Sequence, residues 1–421
     1  VIDTLEIWLD DGELPPWKEP VGTLARTRAR GHEAVRFRYA EPWLSAGRHA
    51  FALDPELPLS PGDFHPGASQ GLHRIFRDSA PDRWGRMLME RREADLARRE
   101  RRSARRLGEW DFLIGVHDAA RLGGLRLREP ASGRWLDDHA QAIPPVARLR
   151  ELEAAAHALD EEGAESRPEY SQWLRTLMAP GSSLGGARPK ASFLETDGSL
   201  WLAKFPASAD RHDLGAWEYL AHQLALAAGV EVPEARLARF GSRHHTFCVR
   251  RFDRVSAGRR MYASAMTLLQ RNDGEPASYL ELAEGLQREG DAASLEGDLH
   301  QLYRRIAFSI SIGNRDDHLR NHGFLRGRTG WCLAPAFDLN PSPERAEHVL
   351  AIDETDPRPS LANLRATAPF YRLNERKAAR IESAVRSAVA SWHDVALTLG
   401  IGPREREVLA TLLEQNSGSE G

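Results

Sequence analysis

The sequence predicts an α+β protein in three parts. These are a β-rich N-terminal domain with a helical insert over residues 1–145, a smaller lobe with strands and a glycine-rich loop over 146–255, and a mainly helical lobe over 256–421. Three observations carry this division. Short apolar runs punctuated by glycine and proline fill the first part, the pattern of strands and turns. A shift toward alanine, glutamate and proline around residues 140–168 reads as a linker and a surface helix, after which strand-like runs resume. Beyond residue 256 the apolar residues recur mainly at helical spacing. A chain of 421 residues can build two or three sizeable cores and needs no small-protein staples.

In the first domain, residues 5–9, 34–39 and 125–128 read as short strands. Ser79, Pro81 and Asp82 form a helix start, and residues 84–107 keep helical spacing. Arg98, Arg99, Arg101, Arg102, Arg105 and Arg106 make the end of that helix basic. Such a run either docks nucleic acid or an acidic partner, or is a solvated face balanced by Glu93, Asp95 and Glu100. The second reading is the preferred one.

Residues 181–206 are the first informative stretch. Phe193 and Leu194, then Asp197 and Gly198, then residues 200–205 read as a hairpin with a two-residue turn. Just ahead of it, Ser183, Leu184, Gly185 and Gly186 make a loop whose backbone N–H groups can approach a polyphosphate closely. The same loop is also what an ordinary turn looks like. Lys204, on the strand face shared by Leu200 and Leu202, stands where a kinase places its phosphate-pairing lysine, and Lys190 can add a further phosphate contact.

The scarcity of lysine adds weight to this. Lys18, Lys190, Lys204 and Lys377 are the only four in the chain, so nearly all positive charge is arginine. A lysine kept in such a chain marks a place where a compact point charge matters. Residues 213–229 follow as an amphipathic helix with Leu214, Trp217, Ala221, Leu224 and Ala228 on one stripe and Gly229 closing it. Glu218 beside that stripe either reaches back to Lys204 or is an exposed glutamate. Residues 232–237 and 246–252 complete a small sheet.

Residues 311–341 are the second informative stretch. Leu299, Leu302, Tyr303, Ile306 and Ile310 trace a buried helix that ends at Ile312 and Gly313 and delivers a polar loop. Asp316 and Asn321 lie five residues apart in that loop. Asp338 follows seventeen residues later, beyond a hairpin of residues 323–326 and 331–334. Clusters of this composition are often plain turn formers. The spacing is nonetheless that of a phosphotransfer site, in which the first Asp takes the proton of an attacking hydroxyl. Asn321 and Asp338 would then supply hard oxygen ligands to Mg²⁺ between nucleotide phosphates. His318 braces the loop through the backbone or Asp338, and Asp317 is expected in solvent. Residues 375–397 and 404–413 read as closing helices.

Composition limits the remaining classes. The net charge of −4 argues against a chain devoted to coating nucleic acid. Cys248 and Cys332 sit in apolar, strand-like runs, which fits buried thiols in a reducing compartment. No apolar run reaches membrane-span length and the first ten residues carry acids, so a soluble cytoplasmic protein is expected.

The motifs together resemble the HipA family of bacterial toxin kinases over almost the full length. The matching stretches are RDSAPDRWGRMLM (77–89), GSSLGGARPK (181–190), LAKFP (202–206), AWEYLAHQLALAAGVEVPEA (216–235), RRFDR (250–254), GNRDDHLRNHGF (313–324) and LAPAFDLNP (333–341). The resemblance implies a Ser/Thr protein kinase with a β-rich N-terminal domain. That domain would be fused to a two-lobed, protein-kinase-like core of the phosphoinositide-kinase type with a mainly helical C-lobe.

Carried over by motif, Asp316 is catalytic, Asn321 and Asp338 bind metal, and Lys204 binds nucleotide. Ser183 matches the loop serine that family members autophosphorylate, with Ser182 as a rival. The cofactors implied are ATP and Mg²⁺. The partners implied are a helix-turn-helix antitoxin, operator DNA through that antitoxin, and an aminoacyl-tRNA synthetase substrate, typically the glutamyl enzyme. The motif around Asp338 reads FDL, as in the family and unlike the DFG of ordinary protein kinases. Three alternatives stand beside this reading. They are a catalytically idle nucleotide-binding scaffold in an antitoxin–DNA complex, a small-molecule phosphotransferase, and a metal-dependent phosphohydrolase built on Asp317 and His318 with His322 and Asp338, against which stands the lack of an upstream histidine cluster.

Overall fold

Alternation of apolar and polar residues builds the first sheet. In β1 (Thr4–Leu9) the side chains of Leu5, Ile7 and Leu9 point inward while their neighbours stay at least partly exposed. The strand pairs antiparallel with β2 (Gly22–Ala29) on one side and β4 (Leu125–Arg128) on the other. With β3 (His32–Tyr39) outside β2, the order is β3-β2-β1-β4. Leu24, Phe37 and Leu127 complete the buried face with 0% exposure, each side chain contributing roughly 1.5–3 kcal/mol. A Cβ on Gly22 would stand 2.6 Å from the Phe37 ring, so glycine is what lets β2 and β3 close over that face.

The computed structural model describes residues 2–29, 32–67, 70–136, 143–178, 186, 188–256 and 258–417. The chain divides into two compact units, Val1–Ala209 with Asp253–Ala263, and Asp210–Phe252 with Ser264–Gly421. It is a mixed helix and sheet protein with a β-rich N-terminal region.

In the first unit a helix runs from Arg83 to Arg99, and the Asp82 carboxylate caps it by accepting the Gly85 N–H at 2.7 Å. Of the arginines at and beyond its end, Arg98, Arg99, Arg102 and Arg105 meet acids, as the balanced-face reading expects. Arg99 meets Asp95 at 3.1 Å, and Arg102 meets Glu93 and Glu100 at 2.6 Å each. Hairpin β5 (Lys190–Leu194) and β6 (Leu200–Lys204) forms in the expected place. Its turn is longer than the expected two residues. The Glu195 N–H donates to the Ser199 carbonyl at 2.9 Å, leaving three residues at the tip with Gly198 at φ 81°. A glycine with positive φ at the end of a three-residue loop matches the right-handed twist of the strands.

In the second unit a helix spans Leu214–Ala227, capped by Asp213, and its Trp217 is 1% exposed. Strands β7 (Ala235–Ala238) and β8 (Thr246–Arg250) pair antiparallel. The central helix, Leu295–Ile312, buries Leu299, Leu302, Tyr303, Ile306 and Phe308 at 0% exposure. Gly313 ends it at φ 66°, with the Gly313 N–H on Ile310 and the Asn314 N–H on Ser309. A Cβ on Gly313 would press within 2.6 Å of Leu412, so this turn is fixed by packing as well as by backbone preference. The expected closing helix over 375–397 is two helices, Glu375–Ala390 and Trp392–Thr398, with Ser391 between them.

Candidate active site

The polar loop that leaves the central helix is stitched to a second segment at two points. The Ser342 N–H donates to the Gly313 carbonyl at 2.9 Å, and the Ala334 N–H donates to the Gly323 carbonyl at 2.9 Å. Between these ties the chain runs out through residues 314–322, turns in the antiparallel pair Gly323–Arg326 and Trp331–Leu333, and returns through residues 334–341. Asp316, His318 and Asn321 therefore lie on one side of the bracket and Asp338 on the other. The hairpin register, Phe324 opposite Leu333, sets this arrangement.

Each polar group in the bracket has its own setting. Asp316 is exposed and its carboxylate meets the Arg345 guanidinium at 2.8 Å. Asn321 closes a short 3-10 turn, Leu319–Asn321, with its N–H on the His318 carbonyl at 2.8 Å. Asp338 is half-buried and accepts from the Asn340 amide at 3.1 Å, and its φ is 60°. A non-glycine residue in that region costs of order 1 kcal/mol or more and persists only where the surroundings impose it. Phe337 beside it stacks on Phe252 at 5.5 Å, and Ala336 donates to the Glu231 carbonyl at 2.7 Å. His318 is half-buried, and its Nδ1 has no hydrogen-bond partner among the described residues, so the expected bracing bond is not made through that atom.

Asp317 corrects the sequence reading. It is 4% exposed, not solvated, and accepts from the Tyr279 hydroxyl at 2.8 Å. His322 Nε2 lies 3.1 Å from its other oxygen, off the line of a hydrogen bond. Burial pushes its pKa upward, but His322, the Tyr279 hydroxyl and His318 outweigh burial and hold the carboxyl below the usual range. Sequence reasoning missed the role of Tyr279 because nothing local links it to a residue 38 positions later. With Asp317 taken inward, Asp316 is the acid the loop offers to solvent.

The bracket offers one carboxylate and one carboxamide oxygen as hard ligands, Asp338 and Asn321. Mg²⁺ commonly binds through one or two protein oxygens plus substrate phosphates and water, so this donor set fits that ion. Among the described residues no group of three or more His, Cys, Asp and Glu side chains gathers as a protein-only metal cage.

In the other unit the loop residues Ser183, Leu184 and Gly185 lie outside the described residues, as does Ser182. Gly186 has φ 93°, and its carbonyl accepts the Trp84 N–H at 3.4 Å. Lys190 and Lys204 face each other in the β5–β6 register, a like-charge pairing that is unfavourable unless compensated. Lys190 is compensated by Asp82, its ammonium 2.7 Å from the carboxylate and both side chains nearly fully buried. The Lys190 head group is thus engaged within its own unit. Lys204 is half-buried at the end of β6. Glu218, in the second unit, is buried on the helix Leu214–Ala227, which removes the exposed-glutamate reading.

The geometry defines an α+β protein with an acid–amide–acid bracket. Family models place it further. A model of the HipA-like C-terminal domain matches residues 182–392, and a model of the HipA N-terminal domain matches residues 13–109. The chain belongs to the HipA family.

Among curated proteins it is 26% identical over 220 residues to the "Putative kinase Y4dM" of Sinorhizobium fredii, a match over 45% of this chain and 53% of that protein. The chain thus spans about half the length of that relative. Among solved structures it resembles a chain of the Shewanella oneidensis MR-1 HipA, HipB and operator DNA complex. That likeness has a TM-score of 0.66 and 17% identity, over 98% of this chain and 95% of the other. A looser likeness, TM-score 0.44 and 16% identity, links 55% of this chain to 89% of the Helicobacter pylori proinflammatory kinase CtkA. No helix among the described residues is long and apolar enough to cross a membrane.

Proposed function

We propose that this protein is an ATP- and Mg²⁺-dependent serine/threonine protein kinase acting as the toxin of a toxin–antitoxin pair. The observation that carries the reading is the double backbone tie of residues 313–323 to 334–342, which brackets Asp316 and Asn321 with Asp338. In this reading Asp316 accepts the proton of the substrate hydroxyl as the hydroxyl oxygen bonds to the γ-phosphorus, the bond to the bridging oxygen breaks, and ADP leaves. General base action of this kind contributes roughly 10²–10⁴-fold. Asn321 and Asp338 hold the magnesium ion, which when bound neutralises the phosphate oxygens. Lys204, with the loop Ser183 to Gly186, positions the phosphates, Glu218 and His318 support that binding, and Lys190, held on Asp82, does not reach them. Positioning and charge are most of what phosphoryl transfer asks of a protein.

The same proposal covers the finer points. The substrate is a protein hydroxyl, on an aminoacyl-tRNA synthetase of the glutamyl type, and its modification stops translation and favours growth arrest in the cytoplasm. Ser183 is the autophosphorylated residue. The antitoxin is a helix-turn-helix protein of the HipB kind that brings the complex to operator DNA. The functional division runs 1–145, 146–255 and 256–421. In support stand the family membership and the solved HipA complex, whose own partners are HipB and operator DNA.

The test is incubation with ATP, Mg²⁺ and a bacterial extract, with phosphopeptides identified by mass spectrometry. The wild type should label a small set of proteins that Asp316→Gln leaves unlabelled. Equal labelling by both would remove the proposal.

A further inference from the structure

A second polar site lies within the Asp210–Phe252 and Ser264–Gly421 unit, away from the bracket residues. A cavity of about 320 Å³ opens between the start of the helix Leu214–Ala227, the β7–β8 connection and residues 399–402. Arg211, Arg239, Arg243 and His244 line it, together with Asp213 and Glu405.

The two acids are spent on structure. Asp213 accepts the Ala216 N–H at 3.2 Å, the His245 N–H at 2.9 Å, and a contact with the His245 ring at 2.6 Å. Glu405 accepts the Asp213 N–H at 3.1 Å and the Trp217 indole N–H at 2.7 Å. Arg239 meets Asp213 only at 4.0 Å, the outer edge of an ion pair, and donates to the His245 ring at 3.3 Å. Arg243 donates to the His244 ring at 2.9 Å and to the Asp210 carbonyl at 3.4 Å, and neither is an anion. Among the described residues Arg211 and Arg243 form no ion pair.

Three guanidiniums on one cavity repel one another, and a bound anion turns that repulsion into attraction. Guanidinium forks match phosphate oxygens in pairs, and both carboxylates at the cavity already accept hydrogen bonds from their own surroundings. The helix Pro403–Ser417 also starts at the cavity wall, adding its positive end to the same field. The volume suits a small molecule.

We propose that this cavity binds a small, multiply charged phosphate anion, either free pyrophosphate or the phosphates of a nucleotide. The proposal does not depend on the phosphotransfer reading of the bracket.

Calorimetric titration of the full chain with pyrophosphate tests it, comparing wild type, Arg211→Gln with Arg243→Gln, Arg239→Gln alone, and Lys204→Met. An arginine-dependent binding event should be present in the wild type and persist in Lys204→Met, be weaker in Arg239→Gln, and be at least about tenfold weaker in the double variant. Unfolding midpoints in phosphate-free buffer should not fall in any variant. Repeating the titration with ATP separates the two sources, since tighter binding of ATP that the arginine variants lose points to a nucleotide and equal binding to the free anion. Binding lost in Lys204→Met and kept in the double variant would overturn the proposal. So would failure of the wild type to bind pyrophosphate, or binding of duplex DNA alone.

Discussion

Replacing His348 by leucine should flatten the acid side of the stability profile. His348 is 4% exposed, and neither ring nitrogen has a hydrogen-bond partner among the described residues. It packs edge-on to the Tyr279 ring at 6.5 Å, with Asp317 favouring its charged form and Arg315 opposing it. Burial dominates and pushes its pKa from 6.5 down to about 4. The folded state therefore binds the proton later than the unfolded chain does. Stability is fully present above pH 6.5 and is lost as pH falls toward 4. The full difference is about 3 kcal/mol, of which about 2 kcal/mol should already be missing at pH 5. Urea unfolding at pH 7 and pH 5, followed by fluorescence, measures it. His348→Leu should lose about 2 kcal/mol less than wild type between those conditions. An equal loss in both proteins would show that His348 is not held neutral and would refute the reasoning.

Two other buried contacts give further predictions. Tyr279→Phe removes the bond to Asp317 and should cost roughly 1.5–3 kcal/mol, as hydrogen bonds to charged groups do, with an effect that urea unfolding finds constant between pH 5 and 8. Constancy is expected because the Asp317 carboxyl titrates below that window and the Tyr279 hydroxyl well above it. Asp82→Asn keeps a helix-capping side chain but removes the carboxylate charge 2.7 Å from the buried ammonium of Lys190, at a cost of about 3–5 kcal/mol in the same assay. Adding Lys190→Met should restore most of that loss. If the double variant is no better than the single, the pair does not account for the cost.

Local signals in the sequence located much of this architecture. The Ser79, Pro81 and Asp82 run marked the start of a helix, because a cap and a proline act within one turn. The apolar stripe from Leu299 to Ile310 ran straight to Gly313, and the polar loop followed where expected.

What stayed hidden depends on distant partners. Strand β2, which the sequence reading does not mark, buries Arg26, with Asp3 at 2.9 Å and Glu33 at 3.3 Å neutralising it. Asp317 reads as another loop acid until Tyr279 takes it inward. Lys190 reads as a phosphate contact until Asp82, 108 residues earlier, is seen beside it. Pairings of this range leave no periodicity, so a pattern search finds the elements and misses the ties between them.

The central claim is that Asp338 and Asn321 hold a magnesium–nucleotide complex beside Asp316. A crystal structure with Mg²⁺ and a non-hydrolysable ATP analogue tests it most directly. The account predicts metal–oxygen distances of about 2.0–2.1 Å to both the Asp338 carboxylate and the Asn321 amide, with the γ-phosphate facing Asp316 and the Lys204 ammonium on the phosphates. A nucleotide bound elsewhere, or a metal ion that touches neither side chain, would contradict it.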